Sequence, residues 1–254
     1  MLLTGKKGLV LSVTNDNSIG WWVADHANRH GATVGVGGQN EKMMSRVNKL
    51  IEGRQCMHGF MVDFQLEDQV DALVANVSEK YGRIDFLVHS AAFANRDDLV
   101  GRFIETSLDG WNLALEISAY SLVRLCKALE PILNDGASVM AMSYLGSTRA
   151  VKNYNVMGVA KAALEASVRY LAVDLGKRGI RVNTISPGPI NTVAARGVRG
   201  LTEMIDYVAE KSPLARAATQ EDVAGTAVYL MSDLSSGVTG QIVFVDSGYN
   251  VVGM

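Results

Sequence analysis

The sequence has few of the residues that stabilise small secreted proteins or mark membrane proteins. Its 254 residues include only two cysteines and four prolines. Cys56 and Cys126 each lie in an apolar segment, which predicts two buried reduced thiols rather than a disulfide framework or a metal cluster. No apolar stretch reaches the length that spans a bilayer without a charge, and the apolar run at the N-terminus is too short for a signal peptide.

The sequence also lacks an excess of charge of either sign. With 24 basic and 26 acidic side chains, the formal net charge is −2 at pH 7. Such a balance gives no general electrostatic attraction to nucleic acid or to an anionic membrane. We therefore expect a protein of a reducing compartment, most simply the cytoplasm, that binds neither of these partners.

Short apolar segments alternate with helical patterns along the whole chain. The apolar segments are mostly continuous, as in strands buried on both faces, and they lie at 8–13, 32–37, 56–62, 84–90, 137–143, 180–186 and 241–247. The helical patterns lie at 19–30, 41–52, 67–81, 109–134, 154–177 and 219–232. This alternation predicts an α/β fold, a single doubly wound Rossmann-like domain over residues 1–254 with a seven-stranded parallel sheet and helices on both faces.

The turn after the first strand lacks the glycine pattern of nucleotide-binding folds. Ligands of a doubly wound sheet bind beyond the carboxyl ends of the strands, where glycines usually let the backbone approach a pyrophosphate. In "SVTNDNSIG" only Gly20 is present, and Ser12 begins the turn. The turn and capping residues Asn15, Asn17 and Ser18 leave a helix start that is able to hold phosphate. An ordinary strand-to-helix loop explains this turn as well.

The residues after the second and third strands bear on the choice of cofactor. An acidic residue after the second strand is typical of NADH binding, and a basic one of NADPH binding. Gln39 is neither, and it favours NADH only slightly. Asp63, after the third strand, is able to accept a hydrogen bond from an adenine amino group or, equally, to cap the following helix.

Three groups able to do chemistry lie in "SYLGSTRAVKNYNVMGVAK", residues 143–161. Tyr154 precedes Lys161 by nearly two helical turns of about 3.6 residues each, so both side chains are expected on one face of a helix. Tyr144 ends the fifth strand, where the cleft of the fold should lie. Each residue alone fits a packing or surface role, but the three together predict a reaction site.

This stretch resembles the enoyl-acyl-carrier-protein reductases of bacterial fatty-acid synthesis, a divergent branch of the short-chain dehydrogenase/reductase superfamily. The spacing Tyr-x6-Lys with a second tyrosine ten residues upstream carries the resemblance. Ordinary members of the superfamily have Tyr-x3-Lys with an upstream serine, and Met157 fills the place of that tyrosine here. The segments "NSIGWWVADHANRHGA", "VHSAAFA" and "VTGQIVFVDSGYN" extend the resemblance over nearly the whole chain.

The resemblance implies a reaction, a cofactor and an assembly. The protein would reduce the 2,3-double bond of trans-2-enoyl thioesters carried by acyl carrier protein, the last step of the fatty-acid elongation cycle. It would use NADH rather than NADPH, and it would be a homotetramer without a metal ion. Tyr154 would bind the thioester carbonyl and stabilise the enolate, Lys161 would hold the nicotinamide ribose, and Tyr144 would orient the acyl group.

The resemblance also implies binding positions along the chain. The cofactor-binding positions would be Ser12, Ser18, Ile19, Gln39, Asp63, Phe64, Ser90, Ala91, Lys161, Ile190, Asn191, Thr192, Val193 and Ala194. The substrate would contact Ala94, Tyr144 and Tyr154. Residues from about 195 to 211 resemble a mobile substrate-binding loop and helix.

Departures from the family pattern leave two alternatives open. Ser12 stands where the first glycine is usual, "VGVGGQ" lacks the usual threonine and aromatic residue, and Ala92 replaces a glycine. One alternative is a carbonyl-reducing short-chain dehydrogenase with a 3-oxoacyl or hydroxysteroid substrate, and the missing Tyr-x3-Lys argues against it. The other is a non-catalytic dinucleotide-binding homologue, and the retained Tyr154 and Lys161 argue against that.

We expect diaryl-ether inhibitors of this family to bind the protein weakly, because the Ala92 methyl group narrows the space beside the nicotinamide on which they stack. In Ala92→Gly the inhibition constant should fall about fivefold, the equivalent of about 1 kcal/mol of relieved overpacking. Inhibitor titrations of both proteins at saturating NADH measure this change. Equal inhibition constants at an unchanged KM for NADH would contradict the prediction.

Overall fold

Seven strands form one parallel sheet in the computed structural model, which describes residues 1–253. The strands are β1 (Lys7–Leu11), β2 (Thr33–Gly38), β3 (Met57–Met61), β4 (Ile84–His89), β5 (Leu133–Met142), β6 (Arg181–Pro187) and β7 (Ile242–Val245). Their order across the sheet is β3-β2-β1-β4-β5-β6-β7. The predicted seven-stranded parallel sheet is confirmed, and each predicted strand overlaps an observed one.

Helices cover both faces of this sheet, as predicted. They are α1 (Ile19–Arg29), α2 (Glu41–Ile51), α3 (Glu67–Tyr81), α4 (Arg96–Leu99), α5 (Leu108–Leu115), α6 (Ser121–Leu129), α7 (Asn155–Gly176), α8 (Leu201–Lys211) and α9 (Gln220–Met231). Buried side chains of α1, α2 and α9 form a core on one face. Those of α3, α6 and α7 form a second core on the other face.

The order of the strands places the ligand cleft. From β1 the chain proceeds to β2 and β3 on one side, and then returns to place β4 on the other side of β1. Such a reversal opens a crevice at the carboxyl ends of the two central strands, where ligands of these folds bind. Because all pairings are parallel, the segments after β1, β4, β5 and β6 begin at this same edge.

The predicted helix over 109–134 is wrong in its extent. Helix α5 continues through a π-helical turn at Glu116–Tyr120 into α6, and a 3-10 turn follows at Glu130–Ile132. Pro131 lies in this turn, and proline stops an α-helix because it lacks the N–H that the helical ladder needs. Strand β5 consequently begins at Leu133, inside the predicted helix.

The two cysteines differ in their surroundings. Cys126 on α6 is 1% exposed, and burial raises the pKa of its thiol to about 12. Cys56 is exposed, in the turn before β3, where its φ is 61°. The prediction of a buried thiol is therefore correct for Cys126 and wrong for Cys56.

The sequence predicts neither a metal cluster nor a membrane-spanning segment. Within residues 1–253, no group of three or more His, Cys, Asp or Glu side chains is arranged to hold a metal ion. None of the helices in that range combines the length and the apolar character needed to cross a membrane. The single-domain organisation with an insertion at 195–211 stays a prediction.

We expect Gly8→Ala to destabilise the protein, because a Cβ at Gly8 would overlap both the ring and the carbonyl oxygen of Phe86 on the neighbouring strand β4. Backbone held in a sheet cannot move aside, so the free energy of unfolding should fall by about 3 kcal/mol. Urea unfolding at a fixed protein concentration measures the change. As a control, Gly225→Ala on α9 adds a Cβ with no neighbour within 4 Å and should stabilise by about 0.5–1 kcal/mol. Equal unfolding midpoints for Gly8→Ala and the parent would contradict this packing argument.

Candidate active site

Lys161 joins α7 to the end of β5. Its side chain is 3% exposed, and its ammonium group donates a hydrogen bond to the carbonyl oxygen of Met142 at 2.6 Å. Burial lowers the pKa of Lys161 to about 8, and the nearby carboxylate of Glu165 opposes that shift. The lysine is therefore charged at neutral pH. An ammonium group carries three donors, so it is able to bind a ligand while it holds Met142.

Glu165, one helical turn after Lys161, is a buried carboxylate in this site. It is 4% exposed, and its Oε1 accepts hydrogen bonds from the hydroxyl groups of Ser143 and of Ser147, the latter at 2.7 Å. None of these three residues is among the predicted site residues. The available signal was an acidic residue four positions after Lys161, in a helical segment that is otherwise mostly apolar.

Tyr154 is predicted to lie on the helix. It lies instead at the N-cap position of α7, which begins at Asn155. The ring of Tyr154 packs edge-on against Tyr144, with 4.9 Å between the ring centroids. Desolvation raises the pKa of both phenols, that of Tyr144 to about 12. Both hydroxyl groups therefore keep their protons at neutral pH and are able to donate hydrogen bonds.

Tyr144 faces the segment that was predicted to bind substrate. Its hydroxyl contacts Sδ of Met204 on α8 at 3.0 Å. The side-chain amide of Asn153 donates to the carbonyl oxygen of Arg199 at 2.7 Å, which joins the approach to α7 with the approach to α8. A cavity of about 770 Å³ lies between these segments, lined by Lys152, Asn153, Arg199, Gly200, Glu203, Met204 and Tyr207.

Met157, at the place of the usual tyrosine, takes no part in this cleft. It is 5% exposed and packs with Leu99 and Ala160 in a small core under the π-helical turn. The hydroxyl of Ser118 in that turn contacts its sulfur at 3.7 Å. A side chain at position 157 therefore points into the protein.

The turn after β1 has the properties of an anion site. Ser18 caps α1, with its Oγ accepting from the backbone N–H of Trp21 at 3.3 Å, and the first turn of α1 contains no acidic residue. The side-chain oxygen of Asn15 is buried without a partner among the described residues. A Cβ at Gly20 would lie 3.2 Å from Val13 and 3.5 Å from Ser90, so glycine allows the start of α1 to approach the segment after β4.

Ser12 explains why a glycine is usual at the start of this turn. Its φ is 67°, in the left-handed region. A residue with a side chain loses roughly 1–2 kcal/mol in that conformation, whereas glycine does not. The backbone keeps the shape of a glycine turn although the glycine is absent.

Gln39 and Asp63 contact each other at the ends of β2 and β3. The amide of Gln39 donates to Oδ2 of Asp63 at 3.0 Å, and Oδ1 of Asp63 accepts from the backbone N–H of Gln65 at 3.0 Å. The alternative in which Asp63 caps the next helix is wrong, because the N-cap residue of α3 is Leu66. The carboxylate therefore lies in a turn at the rim of the cleft.

Phe64 and His89 belong to the core beneath the cleft. The two rings stack with 5.7 Å between their centroids, and Phe64 is 7% exposed. His89 is fully buried, with Nε2 at 2.7 Å from the hydroxyl of Ser121, and burial lowers its pKa to about 3. His89 is therefore a packed, hydrogen-bonded residue of this core.

The segments after β4 and β6 supply the remaining predicted positions. Ala91, Ile190 and Thr192 are buried, Ser90, Ala94 and Ile19 are half-buried, and Asn191, Val193 and Ala194 are exposed. The hydroxyl of Thr192 accepts from the backbone N–H of Ala195 at 3.1 Å and so fixes the start of the 195–211 segment. These residues line the edge that also holds Lys161 and the start of α1.

The arrangement fits a nicotinamide dinucleotide and an oxyanion. The uncapped N–H groups and dipole at the start of α1 favour a pyrophosphate. The ammonium of Lys161 suits ribose hydroxyls, and the Asp63 carboxylate suits an adenosine group at the other end of the cleft. Two protonated phenols at the sheet edge that also holds a buried ammonium are able to stabilise a developing negative charge.

Comparison with known proteins identifies the family. The family model described as enoyl-(acyl carrier protein) reductase matches residues 13–250. The chain belongs to this family. A named NADH-dependent enoyl-acyl-carrier-protein reductase of Nostoc is 46% identical over 99% of both chains. One from Rickettsia bellii is 48% identical over 99% of this chain and 96% of its own.

Solved enoyl reductase structures have the same fold. The enzyme of Anaplasma phagocytophilum, in complex with NAD, matches with a TM-score of 0.96 and 42% identity over 100% of this chain and 97% of its own. The Bacillus cereus enzyme, with NADP+ and an indole naphthyridinone, matches with a TM-score of 0.97 and 43% identity over 100% and 99%. The predicted fold class and the resemblance stated from the sequence are both confirmed.

We expect Gly146→Ala to impair catalysis by the reductase without unfolding it. A Cβ at Gly146 would lie 2.5 Å from the ring of Tyr154, so this ring must shift, whereas the 3.4 Å to the ring of Tyr144 is an ordinary contact. A displacement of about 1 Å at a reacting group costs up to roughly 100-fold in rate, so kcat should fall 10- to 100-fold. Steady-state kinetics measure this loss, with NADH affinity from fluorescence expected to be unchanged. Gly176→Ala, at the open end of α7, is the control, and a Gly146→Ala enzyme with its parent's kcat would refute the prediction.

Proposed function

We propose that this protein is an NADH-dependent enoyl-acyl-carrier-protein reductase, which reduces the 2,3-double bond of trans-2-enoyl thioesters in fatty-acid biosynthesis. One observation carries the proposal. Tyr144 and Tyr154 pack together at the sheet edge where Lys161 is buried, and Met157 at the alternative tyrosine position points into the core. NADH, when bound, supplies the hydride that adds to the β-carbon.

Tyr154 stabilises the charge that develops on the substrate. Addition at the β-carbon of an enoyl thioester moves negative charge to the carbonyl oxygen, forming an enolate. A protonated phenol placed in a cleft that excludes water donates to this oxygen, and such a donor typically lowers the barrier by roughly 3–4 kcal/mol. Desolvation holds the pKa of Tyr154 above its usual value, so the donor keeps its proton through the reaction at neutral pH.

Lys161 and Tyr144 orient the two reactants. The ammonium of Lys161, fixed by Met142, binds the ribose hydroxyls of the nicotinamide end, and its charge favours the developing anion. Tyr144 lies between Tyr154 and Met204 of α8, and so lines the path of the acyl chain. The segment from 195 to 211 covers that path.

The rim of the cleft selects NADH. Asp63, held by Gln39, places a carboxylate at the adenosine end, where it repels the 2′-phosphate of NADPH and accepts hydrogen bonds from an unphosphorylated nucleoside. The described relatives from Nostoc and Rickettsia bellii are named as NADH enzymes.

The homotetramer and the cytoplasmic location remain proposals. Support for the assembly comes from exposed apolar surface on α7 and on β7. Tyr170 and Val173 on α7 are each 76% exposed, and the apolar edge strand β7 is only half-buried. The acyl-carrier-protein substrate fits the open cavity beside Met204, which admits a thioester from outside.

The decisive assay follows NADH oxidation with crotonyl thioester and, separately, with acetoacetyl thioester. We expect oxidation with the crotonyl substrate alone. Oxidation with acetoacetyl thioester alone would instead establish a carbonyl reductase. NADH binding without turnover of either substrate would establish a non-catalytic homologue.

Tyr154→Phe tests the role of the donor. Because the ring remains and only the hydroxyl is lost, kcat with crotonyl thioester should fall by about 100- to 1,000-fold while the Kd for NADH stays the same. Tyr170→Phe, which removes an exposed hydroxyl from α7, should leave both constants unchanged. A kcat within threefold of the parent would rule out Tyr154 as the oxyanion donor.

A further inference from the structure

We propose that Glu165 is a positioning residue of the reductase reaction, which fastens the Tyr144 segment to α7 and keeps Lys161 charged. This inference rests on the proposed function, through the roles given to Tyr144 and Lys161. Glu165 does not face the cleft itself but acts through both of these residues.

Two serine hydroxyl groups attach the Tyr144 segment to Glu165. Ser143 immediately precedes Tyr144 and Ser147 follows three residues later, and both hydroxyl groups donate to the same oxygen of Glu165. The turn that carries Tyr144 is thus held at both ends by one atom of α7. Moving the turn would leave a buried carboxylate without its donors, which costs more than the hydrogen bonds themselves contribute.

Close packing between the turn and the helix supports the same function. A Cβ at Gly158 on α7 would lie only 2.7 Å from the carbonyl oxygen of Gly146 in the turn. The backbone of the turn therefore lies directly on the helix surface. The two serine hydrogen bonds fix where along α7 the turn rests, and this position sets the edge-on contact between Tyr144 and Tyr154.

Glu165 also stabilises the charge on Lys161. Both Lys161 and Glu165 are at least 96% buried, and each ion alone would be strongly destabilised by the loss of water. The carboxylate favours the charged ammonium and opposes the lowering of the Lys161 pKa by burial. Without it, Lys161 would lose its proton at a lower pH and would bind ribose hydroxyls as a weaker, neutral donor.

The pKa of Lys161 differs clearly from those of the surrounding groups whose pKa values are also shifted. On β4, His89 has its pKa lowered to about 3. Burial raises the pKa of Tyr144 to about 12, and burial, Tyr144 and the Glu165 charge, in that order, raise the pKa of Tyr154. The pKa of Lys161 is about 8. A loss of NADH binding on raising the pH through this value therefore reports on the lysine.

The other charged groups on the elements around α7 are engaged elsewhere. Asp98 accepts from Ser107, Glu116 pairs with Arg124, Arg181 donates to Ser235, and Asp109 is exposed. Arg169, one turn beyond Glu165, donates to the backbone carbonyl of Glu165 rather than to its carboxylate.

Glu165→Gln tests both parts because it removes the charge and keeps the shape. The Kd for NADH is measured by fluorescence between about pH 6 and 10. The basic limb, where affinity falls as Lys161 loses its proton, should lie about one pH unit lower in the variant, because the ammonium group has lost the neighbouring carboxylate. With crotonyl thioester at about pH 6.5, where the lysine of either protein is largely charged, kcat should fall about tenfold because the Tyr144 turn is held less firmly. A purely structural role would lower stability without moving the pH limb.

Two further variants separate the parts and guard against misfolding, which circular dichroism detects. The double variant Ser143→Ala with Ser147→Ala removes the hydrogen bonds that hold the Tyr144 turn, so kcat should fall about tenfold. It keeps the Glu165 charge, so the basic limb of the NADH-binding profile should not move. Glu79→Gln, an exposed residue on α3, should match the parent in both readouts. A folded Glu165→Gln with the parent's pH limb and kcat overturns the proposal. If that variant does not fold, unchanged kcat in the double serine variant overturns it.

Failure of the proposed function would be recognised separately. A parent protein that binds NADH but turns over no crotonyl thioester contradicts the reductase activity. The NADH-binding profile then still decides the effect of Glu165 on Lys161, because that readout needs no turnover.

Discussion

The hydrogen bond from Lys161 to the carbonyl of Met142 is the constraint on which the site depends. It joins the middle of the reaction site to the last residue of β5 and thereby fixes both the rotation of α7 and its position along the strand. A buried ammonium is stable only with acceptors around it, and here the backbone carbonyl and the charge of Glu165 serve that need. The geometry of the cleft therefore depends on the buried ammonium group of Lys161, whose charge the protein must stabilise with its own acceptors.

The tyrosine of this site does not lie four residues before the lysine, because Met157 occupies that position. With Lys161 directed at β5, the residue four positions earlier, Met157, faces the small core that contains Leu99 and the π-helical turn. The proposed oxyanion donor is instead Tyr154, the residue just before the helix. Tyr154 lies at the N-cap, just before the first residue of the helix, and its ring packs edge-on against Tyr144.

The sheet could be predicted from sequence because continuous apolar segments have no stable alternative to burial on both faces. The apolar pattern does not show where α6 ends, because the helical periodicity continues without a break up to Pro131. A 3-10 turn there ends the helix, and β5 begins directly after it at Leu133. Candidate site residues could be proposed because the carboxyl ends of parallel strands meet at one edge of the sheet. Glu165 could not, because its importance lies in contacts with Ser143 and Ser147 that the chain folds back to make.

Backbone strain marks the two segments that the rest of the fold holds in place. Within residues 1–253, three of the six non-glycine residues with positive φ border the cleft: Ser12 after β1, and Asn153 and Asn155 on either side of Tyr154. Such conformations persist only where the surroundings impose them. Asparagine tolerates the left-handed region better than most residues, and serine does so less well. At the start of α7 the sequence has therefore adapted to the strained backbone, whereas at Ser12 the sheet and the start of α1 impose a glycine-type turn on a residue that has no preference for it.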